Sequence, residues 1–212
     1  DAYVRRYDGA GNELWTRQFG STDADHASRV SVDGSGLYVS GWTKGALPGQ
    51  SSLGRDDAFV RRYDANGNEL WTRQFGTPDT DQAYAIAVDV SGVTLSGWTY
   101  GTFPGQVGTG GGDAFVHKFD VEGNELWTCQ FGSSSMDWAE GVTVDSSGVY
   151  AAGGTEGALP GQTSTGGLNA FVVRIIVVEK VSLVVGIGDT ATTDTEGDGA
   201  TPADPVETSV TS

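Results

Sequence analysis

Cysteine, histidine and lysine are scarce in this chain of 212 residues, and each scarcity closes off a class of protein. The one cysteine, Cys129, can form no internal disulfide, so no disulfide framework shapes the fold. Only two histidines occur, His26 and His117, and no Gly-x-Ser-x-Gly elbow accompanies them, so no catalytic triad can be argued. No stretch approaches the roughly 20 apolar residues that a membrane-spanning helix needs. Basic residues are outnumbered, 12 Lys and Arg against 28 Asp and Glu. The formal charge of -16 repels phosphate backbones and anionic headgroups, which argues against nucleic-acid binding. The chain opens at Asp1 rather than Met and reads as a processed product or a fragment.

Glycine and aromatic residues, by contrast, are abundant: 33 Gly, six Trp, seven Tyr and eight Phe. Such a turn-rich, aromatic-rich composition favours strands over helices. The dominant feature is an internal repeat of 56 residues. Asp1-Ala-Tyr-Val4 returns as Asp57-Ala-Phe-Val60, Asp113-Ala-Phe-Val116 and Asn169-Ala-Phe-Val172. Gly-Asn-Glu-Leu-Trp recurs at 11–15, 67–71 and 123–127, and Pro-Gly-Gln at 48–50, 104–106 and 160–162. Residues 1–20 match 57–76 at 17 of 20 positions, which excludes coincidence.

Each unit carries four candidate strands, in the second copy 58–63, 69–75, 84–89 and 93–99. Asp64-Ala-Asn-Gly67 and Asp89-Val-Ser-Gly92 supply the turns of tight antiparallel hairpins. Along 83–89, Tyr84, Ile86 and Val88 form a large face and Ala83, Ala85 and Ala87 a small one, so both faces can pack between neighbouring sheets. Four antiparallel strands per repeat, stacked with both faces covered, make the blade of a β-propeller. The run from Asp57 to Gly76, followed by Ala83-Tyr-Ala-Ile-Ala-Val-Asp89, resembles the bacterial and archaeal SBBP-type β-propeller repeat over about residues 1–174. That resemblance implies an all-β propeller fold and a surface or secreted setting, and no shared chemistry. The acidic surface with only three lysines, Lys44, Lys118 and Lys180, is similar to that of proteins from salt-rich environments.

The expected organisation is a partial propeller, 1–174: outer strands of one blade at 1–20, blades at 21–76 and 77–132, and a partial blade at 133–174. Residues 175–185 read as an irregular β-rich end, and 186–212, with seven Thr, six acidic residues and no Lys or Arg, as a disordered tail. Roughly three blades are too few for an ordinary ring of four to eight, so open ends are expected to meet the remainder of a longer propeller or further copies.

Short turns fall on one edge of each sheet, and the longer loops 20–27 and 43–56 on the other, where binding is expected. Asp25, Asp81 and Asp137 recur on that edge. They can hold a calcium ion, or they can cap their loops through backbone N–H groups, and recurrence in every copy weighs towards the cap. The following position varies, His26, Gln82 and Trp138, as a specificity position or a drifting one would. These six residues are the candidate partner-binding set. Trp15, Trp71 and Trp127 read as wedges between blades; Trp42 and Trp98 end their strands on the loop-rich edge, where they can stack on a sugar or be buried under the Pro-Gly-Gln loop, with burial weighing more. Glycine run 108–112 precedes a strand and is no phosphate loop. The expected function is a non-enzymatic scaffold of a surface or secreted protein that binds a protein or glycan partner. A propeller lyase or glycosidase and a structural spacer are the alternatives, and no catalytic residue or cofactor is assigned.

Overall fold

The structure, a computed structural model, describes residues 1–164, 166–178 and 181–186. It is all-β, with no helix among the described residues and hence none long and apolar enough to cross a membrane. Fourteen strands follow in chain order: β1 (Ala2–Tyr7), β2 (Glu13–Phe19), β3 (Asp25–Asp33), β4 (Gly36–Thr43), β5 (Asp57–Asp64), β6 (Glu69–Phe75), β7 (Asp81–Asp89), β8 (Gly92–Thr99), β9 (Asp113–Phe119), β10 (Glu125–Phe131), β11 (Asp137–Asp145), β12 (Gly148–Thr155), β13 (Asn169–Val178) and β14 (Val181–Gly186). They form a β1–β2 hairpin and three four-stranded antiparallel meanders, β3–β6, β7–β10 and β11–β14.

Local chemistry explains the hairpins. In turn 8–12 the Asp8 carboxylate accepts the amides of Ala10 and Asn12, both at 2.9 Å, while Gly11 takes φ 84°. Asp64 and Asp120 do the same in turns 64–68 and 120–124. The side-chain amides of Asn12, Asn68 and Asn124 donate to the same carboxylates, and together with the backbone bonds they favour the charged forms, whose pKa values lie below the ordinary range. At the β3–β4 turn, Asp33 holds Ser35 and Gly36 in the same way.

Successive sheets pack face to face through three cores. Ala2, Phe19, Leu37, Val39, Phe59 and Tyr63 fill the first; Ala58, Val60, Phe75, Leu95, Phe115 and Phe119 the second; Val116, Phe131, Val149, Phe171 and Ile175 the third. Strand β5 thus gives Phe59 and Tyr63 to one neighbour and Ala58 and Val60 to the other, so both its faces are dry.

One detail of register departs from the alternation read above. A bulge interrupts each first strand, leaving Ser28, Tyr84 and Glu140 as the extra residues. The slip exchanges faces: Ala83 joins Ile86 and Val88 in the core, while Tyr84 turns to Gln82 and Trp98. A Cβ on Gly41, Gly97 or Gly153 would strike the carbonyl oxygen of His26, Gln82 or Trp138, which is why this column is glycine in all three units.

In the stretch read as an irregular β-rich end, 175–178 prolong β13 and 181–185 belong to β14, so the last sheet has four strands where three were expected through 174. The hydrophobic run can pair without the usual turn motif. Of the expected tail, Gly186 closes β14 and 187–212 lie outside the described residues.

Candidate functional site

Antiparallel pairing places turns 8–12, 33–36 and 64–68 on one edge, and the loops between β4 and β5 and between β6 and β7 on the other. Backbone bonds sew that loop-rich edge from sheet to sheet: the Asp81 amide donates to Asp56 O at 2.7 Å and the Asp137 amide to Gly112 O at 2.8 Å.

Asp25, Asp81 and Asp137 start β3, β7 and β11 and are turned inward. Asp81 and Asp137 are fully buried, and the Asp25 side chain is too. Each carboxylate closes its own loop, accepting the amide of Ser21 (2.9 Å), Thr77 (2.6 Å) or Ser133 (2.6 Å). Burial pushes the Asp81 carboxyl up to about 6; hydrogen bonds from Thr99 and Thr77 pull against this, and the neighbouring Asp57 charge adds to it. Asp57 and Asp113 form a second buried set, bonded to Gln74 Nε2 (2.7 Å) and Gln130 Nε2 (2.6 Å). Among the described residues no group of three or more His, Cys, Asp or Glu side chains is arranged around a common point for a metal.

Those glutamines explain the Pro-Gly-Gln motif. Gln74 Oε1 accepts the Leu47 amide at 2.9 Å, and the Gln74 amide donates to Gln50 Oε1 at 3.1 Å. Gln130, Phe103 and Gln106 repeat the arrangement. The residue the loop drives into the core is therefore Leu47 or Phe103, 1% and 4% exposed. Trp42 and Trp98, expected beneath the loop, are instead half-buried at the edge.

The three variable positions lie side by side with a second column. His26 pairs across β3–β4 with Trp42, Gln82 across β7–β8 with Trp98, and Trp138 across β11–β12 with Gly154. Every unit thus presents one indole on this edge, from either member of the cross-strand pair. The His26 ring stacks on Trp42 at 5.6 Å and 13°. Trp98 donates Nε1–H to Tyr84 Oη at 2.7 Å and meets the exposed Tyr100 edge-on at 4.7 Å. Trp138 fills the space over Gly154, where a Cβ would come within 2.6 Å of its ring, and donates to Glu140 Oε1 at 3.0 Å. Tyr84 and Tyr100 were missed as members of this site, and Trp42 and Trp98, placed on this edge by the sequence, were not joined to positions 26, 82 and 138. Comparing columns 26/82/138 and 42/98/154 as one pair reveals the shared tryptophan.

His117 and Cys129 both lie inside the cores, away from this edge. His117 is buried against Phe75 and Phe119, each at 4.4 Å, and desolvation pushes its pKa down to about 3. The buried Cys129 thiol is pushed up to about 12, the opposite of an activated nucleophile. Two open depressions, of about 640 and 400 Å³, lie on or beside the short-turn edge, around Trp15 and Trp127.

The class defined by these features is an all-β repeat protein of four-stranded antiparallel sheets with an aromatic-lined, loop-rich edge. No protein-family model matches the chain. It is similar to the "Regulatory protein FlaEY" of Caulobacter vibrioides, with 34% identity over 167 residues. The match takes in 70% of this chain and 17% of the length of that protein.

Proposed function

We propose that the chain is a non-enzymatic β-propeller-type repeat scaffold, built of SBBP-like units, that binds a protein or glycan partner through its loop-rich edge in a surface or secreted setting. One observation carries this reading: each unit keeps a single indole at the same cross-strand pair although the residue bearing it changes from Trp42 and Trp98 to Trp138. A pure spacer has no need of half-exposed tryptophans at an edge, whereas indoles offer an apolar face for sugars or peptide side chains and a polar N–H. His26, Gln82 and Trp138 then set what each unit accepts, while Asp25, Asp81 and Asp137 act at one remove by shaping the loops. The FlaEY name describes a regulatory protein. Regulation through contact with a partner is compatible with a scaffold of this kind.

Glycan and peptide arrays probed with the intact chain test this. Binding that is lost in Trp42→Ala, Trp98→Ala and Trp138→Ala, with unchanged thermal unfolding, is the expected result. Binding indifferent to all three substitutions, or no binding at all, overturns the proposal.

A further inference from the structure

On the opposite, short-turn edge, two of the three Asp-x-x-Gly-Asn turns are grasped by the preceding unit in one repeated manner. Trp15 donates its indole N–H to Ala65 O at 3.2 Å, and Arg17 Nε donates to Gly67 O at 2.6 Å. One unit on, Trp71 donates to Val121 O at 3.0 Å and Arg73 Nε to Gly123 O at 2.6 Å. Arg6 and Arg62 add a guanidinium bond to the same Ala65 and Val121 oxygens. The indole lies so flat on each turn that a Cβ on Gly67 or Gly123 would stand 2.8 Å from its ring. With a longer bond from Arg17 to Asn66 O and from Arg73 to Glu122 O, both 3.4 Å, each clasp engages three backbone carbonyls with charged or indole donors and covers a glycine that must be a glycine.

Turn 8–12 is built identically. Its Asp8 amide bonds Asn12 O at 2.9 Å and its Gly11 amide bonds Asp8 O at 3.1 Å, matching the values in turn 64–68. Gly11 has φ 84° against 77° for Gly67. The one difference is what covers it: a Cβ on Gly9 or Gly11 would meet nothing within 4 Å.

We infer that turn 8–12 is a docking socket for the outer hairpin of another 56-residue unit, recognised through Arg, Trp and Arg at the spacing of Arg62, Trp71 and Arg73. The two occupied turns show the occupant's chemistry directly. A second copy of this chain, docked head to tail, does not supply the full set, because its last hairpin keeps Arg174 in the place of Arg6 and Arg62 but pairs it with Val185 where those arginines pair with Trp15 and Trp71. The socket lies on the edge away from the aromatic site, so it stands or falls independently of the proposed binding function.

The test uses the full chain and the full chain extended, ahead of Asp1, by one more copy of residues 1–56, which preserves the repeat register. Amide hydrogen exchange is read at Ala10, Gly11 and Asn12 by NMR. In the parent these amides are expected to exchange about tenfold or more faster than those of turns 64–68 and 120–124, and in the extended chain to match them. Replacing the added copy's counterparts of Arg6, Trp15 and Arg17 by Ala should restore fast exchange at this turn alone. Unchanged exchange on extension, protection that survives the triple replacement, or an extended chain that does not unfold as one unit overturns the inference. So does concentration-dependent protection in the parent, which would make a second copy the occupant.

Discussion

Two buried groups set opposite pH dependences on stability, and removing either one should expose the other. His117 is 2% exposed, stacked between Phe75 and Phe119 at the second core. Thr128 Oγ1 donates to Glu125 Oε1 at 3.1 Å, so the hydrogen-bond network assigns the ring proton to Nδ1, which donates to Thr128 Oγ1 at 2.9 Å. Nε2 is left without a hydrogen-bond partner, and Glu125, 3.8 Å away, is too exposed to balance a second proton there. The folded pKa of about 3 lies below the ordinary 6.5, so protons prefer the unfolded chain. Stability from this group is complete above pH 6.5 and is lost as pH falls towards 3, at about 1.4 kcal/mol per pH unit. Asp81 has the reverse sign. Its folded pKa is raised from 3.8 to about 6 by burial beside Asp57, so folding takes up a proton between those values. Its contribution is complete below 3.8 and is lost as pH rises through about 6. From about pH 6 to about pH 4 the two nearly cancel in the parent. Asp81→Asn should lose roughly 2 to 3 kcal/mol on descending that interval, and His117→Leu should gain about as much, each relative to the parent. Urea denaturation across the range measures both, and referring each variant to the parent removes the background from the other carboxylates. Identical pH slopes in all three proteins would refute the reasoning.

Three further outcomes follow from the packing and the charge. Trp71→Ala removes a ring that touches Tyr38, carries Arg73 5.6 Å from its centre and binds Val121 O, and should cost about 3 kcal/mol in urea melts; an unchanged midpoint contradicts its role between sheets. Cys129, 3% exposed, should resist an aromatic disulfide reagent in the folded chain and react with one equivalent once unfolded, so rapid labelling of native protein would show the core around it to be open. With a formal charge of -16, the melting temperature should rise between about 0.1 M and about 2 M NaCl or KCl as self-repulsion is screened, and a flat or falling trend in both salts argues against salt adaptation.

Strand positions were legible because they depend on local matters: β-branched and aromatic residues, Asp and Gly at turns, and a period that repeats the same answer three times. The expected strands 58–63, 69–75, 84–89 and 93–99 fall within β5, β6, β7 and β8. The bulge at Tyr84 was not legible from alternation, because a bulge is a property of two paired strands, visible only when Ala83 and Ala85 are set opposite the adjacent Gly97 and Ser96.

The site divides along the same line. Sequence alone marked out Asp25, Asp81 and Asp137 as recurrent and His26, Gln82 and Trp138 as variable, and that distinction follows from comparing copies. That the carboxylates are buried in their own loops, that the varied residues share an edge with Trp42, Trp98 and Gly154, and that Arg17 and Arg73 clasp the next unit's turn were decided only by the tertiary structure. The physical reason is range: a turn is chosen by residues within four positions of one another, whereas Trp15 reaches Ala65 across 50 positions, and only the stacking of one sheet on the next brings donor and carbonyl together.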